Sequence, residues 1–128
     1  MDLLGRGSPA AAAQVLERAS AAEPASHSVR EALARAQFDA GRYAEAAENF
    51  AMIVEASPSD DYAQFGLGLA LARIGDPAGA AEHLALAAAM RPDVAHYIDA
   101  LRSARATLRA QGRARSQCAA ADGPEGTR

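Results

Sequence analysis

Six residue columns recur along this chain at a single interval of 34 residues, and that period constrains the fold more than any other feature. Gly7, Gly41 and Gly75 keep it, as do Pro24, Pro58 and Pro92. Ala12, Ala46 and Ala80 form a third column, and Leu16, Phe50 and Leu84 a fourth. Ala19, Ile53 and Ala87 form a fifth, and Leu33, Leu67 and Leu101 a sixth. A fixed period of this length marks stacked supersecondary units, each burying its apolar face against its neighbours.

The residue types define the unit. A glycine free to adopt positive φ closes one helix. Ser8-Pro9 and Asp76-Pro77 follow it as an N-cap and a proline in the first turn of the next. The column alanine and the Leu or Phe four residues on share one helix face. The column proline then stops that helix, and Ser28 with Glu31 reads as a capping box opening the following one. The spacing predicts helices near 9–22, 28–40, 43–56, 61–74, 77–90 and 94–111, with no strand. The expected fold is all-α, a right-handed solenoid of antiparallel helix pairs in one domain over 1–111. It divides into a half-unit 1–26, full units 27–60 and 61–94, and a capping helix 94–111. Residues 112–128 lack periodicity and read as a disordered tail.

Composition enters through the core. The 128 residues include 36 alanines, three Phe, three Tyr and no Trp. Such a core gains stability from close helix approach, because Ala is the best helix former but buries little area. The G+C-rich codons of Ala, Gly, Pro and Arg point to a bacterial gene. No apolar run approaches the roughly 20 residues that span a bilayer, and the N-terminal residues show no secretory signal, so a cytoplasmic protein is expected. The single Cys118 excludes an intramolecular disulfide and a cysteine zinc cluster.

These residues resemble the tetratricopeptide repeat family. Leu67, Gly68, Gly75, Asp76, Ala80, Leu84, Ala87 and Pro92 carry its pattern most fully. Leu33, Ala34, Gly41, Tyr43, Ala46, Phe50 and Pro58 carry it in the preceding unit, and Gly7, Ala12, Leu16, Ala19 and Pro24 in the half-unit. The likeness covers about residues 3–110. The family's large aromatic early in the first helix is replaced by Arg30 and Gln64. The resemblance implies a binding module whose first helices line a concave groove for a peptide or a partner helix. A subset of the family clamps a C-terminal carboxylate at positions matching Glu31, Arg35, Gly66, His96 and Ala100. Only Arg35 and His96 could serve there, which argues against that ligand.

Helix 61–74 carries two apolar stripes. Leu67, Leu71 and Ile74 suit the inter-helix core. Tyr62, Phe65 and Leu69, on the family geometry, face the groove between Arg35, Phe38 and Asp39 on one side and Arg73, His96 and Asp99 on the other. The expected partner-binding residues are therefore Arg35, Phe38, Tyr62, Phe65, Leu69, Arg73, His96 and Asp99. Alternatively the following helix simply covers this stripe.

Residues 1–101 carry 14 acids and 7 Arg, whereas residues 102–128 carry 2 acids and 6 Arg. Arg102, Arg105 and Arg109 line one side of the last helix, with Arg113 and Arg115 beyond. A polar outer face on a terminal helix explains them. The absence of interleaved aromatics argues against nucleic acid. His27, His83 and His96 have no partner at metal-ligand spacing, and no nucleophile context or phosphate loop is present. No enzyme, cofactor, metal or membrane role is expected. The function expected is a protein-interaction adaptor; the alternative is a self-assembling structural module. The half-unit leaves the face of helix 9–22 around Val15 and Leu16 open to the Leu3-Leu4 stub, a partner or a second copy, so a homo-oligomer is a possible state.

Overall fold

The computed structural model describes residues 8–23 and 26–126. Six helices follow one another: α1 (Pro9–Ala22), α2 (His27–Asp39), α3 (Tyr43–Ala56), α4 (Asp61–Arg73), α5 (Pro77–Met90) and α6 (Ala95–Gly126). Each packs antiparallel on the next. The backbones of α2 and α4 also touch, as do those of α4 and α6, whereas α1, α3 and α5 do not approach one another. The layer whose members touch lies on the shorter circumference, so α2, α4 and α6 form the inner, concave face.

The turns carry the period. Gly41 and Gly75 adopt φ of 83° and 91°. At the first, Arg42 N–H donates to Gln37 C=O at 2.8 Å and Gly41 N–H to Phe38 C=O at 3.0 Å. Asp76 N–H to Leu71 C=O and Gly75 N–H to Ala72 C=O repeat both bonds at 2.9 and 3.2 Å. This paired closure needs a left-handed residue just past the helix end. Asp60 and Asp76 cap α4 and α5 by accepting from Ala63 N–H and Gly79 N–H, each at 3.0 Å.

Two cap assignments differ from expectation. Ser26, not Ser28, caps α2, accepting from Val29 N–H at 3.3 Å. The helix starts at His27, so Ser28 falls within the first turn. Ser8 makes no side-chain cap bond. Gly7, Pro24 and the Leu3-Leu4 stub lie outside the described residues.

The core is a row of alanines pinned by a few larger chains. Ala13, Ala34, Ala46, Ala70, Ala80 and Ala87 are fully buried, with Phe50, Ile53 and Leu84 between them. Gly66 and Gly68 mark the tightest approaches. A Cβ on Gly66 would stand 2.5 Å from the Phe50 ring, and one on Gly68 would stand 2.6 Å from Leu84 Cγ. Ile74, expected in this core, is 48% exposed, because it caps α4 at the turn.

Hydrogen bonds occupy the place of the missing aromatic. Arg30 Nη1 donates to Asn49 Oδ1, and Asn49 Nδ2 donates to Gln37 Oε1, both at 2.8 Å. One repeat on, Gln64 Oε1 lies 2.8 Å from His83 Nδ1, while Gln64 Nε2 donates to the Pro58 carbonyl at 3.0 Å. Gln37 and Gln64 are each 3% exposed, and no buried side-chain polar atom among the described residues lacks a partner. Satisfied polar groups cost little to bury, unlike unpaired ones.

The last helix runs past its expected end near 111 to Gly126, through the segment expected to be disordered. Arg109 stands in the column of Gly41 and Gly75, so nothing there favours the left-handed turn. Between 110 and 121, Ala, Gln and Arg propagate helix well, and Gly112 costs only about 1 kcal/mol. Among the described residues no helix packs on the outer face of α6. Arg102 takes the column of the buried Ala34 and Gly68, and it is exposed, as are Arg105, Arg109, Arg113 and Arg115.

Candidate interaction groove

The concave face is built by one side of each inner helix. Arg35, Phe38 and Asp39 recur at helical spacing on α2, and Tyr62, Phe65, Gly66, Leu69 and Arg73 on α4. Between α2 and α4 lies a pocket of about 210 Å3 lined by Arg35, Phe38, Asp39, Phe50, Tyr62, Phe65, Gly66 and Leu69. Gly66 lets the Phe50 ring rise from the core to form its floor. Phe38, Tyr62, Phe65 and Leu69 are half-buried around it.

Five of the eight residues read from the sequence therefore meet in one pocket. Arg73 stands at its edge with its guanidinium 5.2 Å from the ring centres of both Phe38 and Tyr43, and its Nη1 donates to Tyr43 Oη at 2.7 Å. Arg35 lies 6.0 Å over the Tyr62 ring. His96 packs edge-on against Phe65 at 5.1 Å. Asp99 is not part of the pocket: it is exposed and faces Arg102 at 3.8 Å.

Sequence reasoning missed Tyr97. Its ring stacks on Phe65 at 4.7 Å, and its hydroxyl donates to Asp61 Oδ2 at 2.7 Å. Phe65 is thus partly covered by α6, which is the alternative read for this stripe, while the pocket side of the ring remains open. The signal was present, since Tyr97, Leu101 and Ala104 fall on one face at i, i+4, i+7 and all are buried. Burial and the Asp61 carboxylate push the Tyr97 hydroxyl well above the usual tyrosine range. The folded state thus favours the neutral phenol, and this stabilisation is complete below the unfolded value near 10 and lost as pH rises beyond it. Tyr97→Phe should flatten the alkaline fall in melting temperature above pH ~10; an unchanged alkaline limb would refute the assignment.

A second hollow of about 350 Å3 lies one repeat further on, between α4, α5 and α6. Its walls include Leu69, Ala72, Arg73, Leu84, Ala100 and Ser103. These stand 34 residues after Arg35, Phe38, Asp39, Phe50, Gly66 and Leu69 of the first pocket. Leu69 is a wall of both.

Among the described residues no cluster of His, Cys, Asp and Glu is placed to hold a metal ion. No helix there is long and apolar enough to cross a membrane.

A family model described as tetratricopeptide repeat matches residues 1–61 and 32–95. The chain belongs to the tetratricopeptide repeat family. Solved tetratricopeptide structures share the fold at low identity. The first TPR of Spaghetti (RPAP3), bound to an HSP90 peptide SRMEEVD, superposes with a TM-score of 0.77 at 18% identity, covering 84% of this chain and 85% of that one. MamA of MSR-1 gives 0.76 at 22% identity over 88% of this chain and 64% of its own. MamA of AMB-1 gives 0.68 at 24% over 75% of this chain, which spans only 52% of its length. No curated protein matches the sequence.

Proposed function

We propose that this tetratricopeptide chain is a non-enzymatic, cytoplasmic interaction adaptor that binds a peptide or helix of a partner protein in the groove formed by α2, α4 and α6. The observation that carries this reading is the ring-lined pocket between α2 and α4. Tyr62 packs against the core between α2 and α4 and Phe65 against α6, yet both keep a side open to the pocket. An apolar hollow rimmed by polar groups is the usual form of a peptide-recognition site. The similarity to a repeat array bound to a peptide agrees with this reading.

Leu69 divides the two hollows at the surface, so Leu69→Arg should block both without disturbing the core. Wild-type protein immobilised against a lysate of its source organism is expected to retain discrete proteins that Leu69→Arg loses at equal helicity. Identical retention by the two would sink the groove reading.

Self-assembly is the second reading. It is favoured by Met52 and Leu86, one repeat apart on α3 and α5 and 50% and 48% exposed. A dilution series followed by light scattering separates the two, since an adaptor keeps a monomer mass at every concentration.

A further inference from the structure

The two hollows differ in chemistry although they occupy the same place in successive repeats. The first is surrounded by four aromatic rings, from Phe38, Phe50, Tyr62 and Phe65. At about 210 Å3 it exceeds the roughly 150 Å3 cavity that admits one benzene ring. The second contains no ring, and Arg73 is its one charged lining residue. Arg73 therefore stands where the hollows meet, beside the shared Leu69 wall.

The state of Arg73 is informative. Its guanidinium is stacked on two rings and donates one hydrogen bond, to Tyr43 Oη. It pairs with no carboxylate among the described residues, whereas Arg42, Arg91 and Arg102 all do. A guanidinium has five donors, and stacking has already cost this side chain its rotamer freedom. An anionic group arriving there meets a cation held in place. Glu31, Asp39 and Arg35 all act on Tyr62, and Asp39, beside Phe38 in the lining of the first pocket, forms no ion pair with Arg73.

Resting on the groove reading, we propose that the ligand is an extended acidic peptide segment. It places an aromatic side chain in the first pocket, a carboxylate on Arg73 and an aliphatic side chain in the second hollow. The order along the groove is set by the two hollows and the cation between them.

The test uses synthetic blocked peptides carrying one Phe, one Glu and one Val at successive spacings in a Ser/Gly background. Companion sets replace Glu by Lys or by Gln, or Phe by Ala. Titrations against the full chain are expected to favour one Phe–Glu spacing. Arg73→Gln should weaken the Glu peptide about tenfold while leaving the Gln peptide unchanged. Arg73→Lys should retain part of the preference, and Arg73→Glu should transfer it to the Lys peptide. Leu69→Arg should abolish binding of all of them.

Binding that requires Phe and Leu69 but ignores charge would overturn this inference and leave the groove reading standing. So would failure of every peptide beside a lysate partner that Leu69→Arg loses. Failure of the peptides together with loss of that lysate contrast would overturn both. A groove filled by a second copy, seen as a dimer that Leu69→Arg dissociates and no peptide displaces, would also overturn both.

Discussion

Replacing Phe50 by Ala is expected to lower the unfolding free energy by about 3–5 kcal/mol, a large fraction of the marginal stability of a small domain. The ring is 2% exposed and lies in the cluster formed by Ala34, Ala46, Ala47, Ile53, Ala63, Leu67 and Ala70. It is the one aromatic in that group of buried residues. Its buried neighbours are mostly alanines, which have no side-chain freedom with which to fill the space, and Phe38, Val54, Tyr62 and Leu71 border it. Urea unfolding followed by circular dichroism measures the loss. Met52→Ala, on an exposed position two residues away, should stay within about 0.5 kcal/mol of wild type. A loss at Phe50 below about 1.5 kcal/mol would mean that the α2–α4 junction is loosely packed.

The second large effect concerns Gly66. Alanine is better than glycine inside a helix by about 1 kcal/mol, so propensity alone favours Gly66→Ala. The structure predicts the opposite, a loss of about 1–3 kcal/mol from overpacking. The new Cβ would stand 2.5 to 2.7 Å from three atoms of the Phe50 ring, and that ring is held in the core. The repeat supplies its own control. One repeat on, Leu84 and Ala100 occupy the columns of Phe50 and Gly66, and one repeat back Leu16 and Ala32 do. Ring with glycine, and leucine with alanine, are two solutions of the same volume problem. Gly66→Ala should therefore be neutral or stabilising in a Phe50→Leu background. Strict additivity of the two changes would show that they do not share this contact.

Much of the fold is legible because the repeat is local and periodic. Gly41 and Gly75 announce the turns that their positive φ then makes. The bounds of α1, α3 and α5 follow from Pro9, Tyr43 and Pro77 at their starts. What escaped needed information from outside the repeat or from competing neighbours. Two serines stand two residues apart at the start of α2; Ser26 is the cap because its backbone is in the β region, whereas Ser28 is already helical. The length of α6 was written in the missing glycine at Arg109, an absence that pattern matching passes over.

The groove divides in the same way. Arg35, Phe38, Tyr62, Phe65 and Leu69 follow from helical spacing within α2 and α4. Phe50 is buried in the core, and it also reaches the pocket because Gly66 removes the obstacle across a helix seam. Tyr97 and Asp61 lie 36 residues apart and form their hydrogen bond across two helices, a pairing that no period predicts. Asp99 lines neither hollow, and its carboxylate lies 3.8 Å from Arg102 on its own helix.

The central claim is that the inner face, around Leu69, is where another polypeptide binds. A photoreactive benzophenone side chain placed at position 69, and separately at position 86 on the outer face, tests it most directly in lysate. The account predicts covalent adducts to a different polypeptide from position 69 and none from position 86. Adducts from position 86 alone, or adducts only to further copies of the same chain, would contradict it.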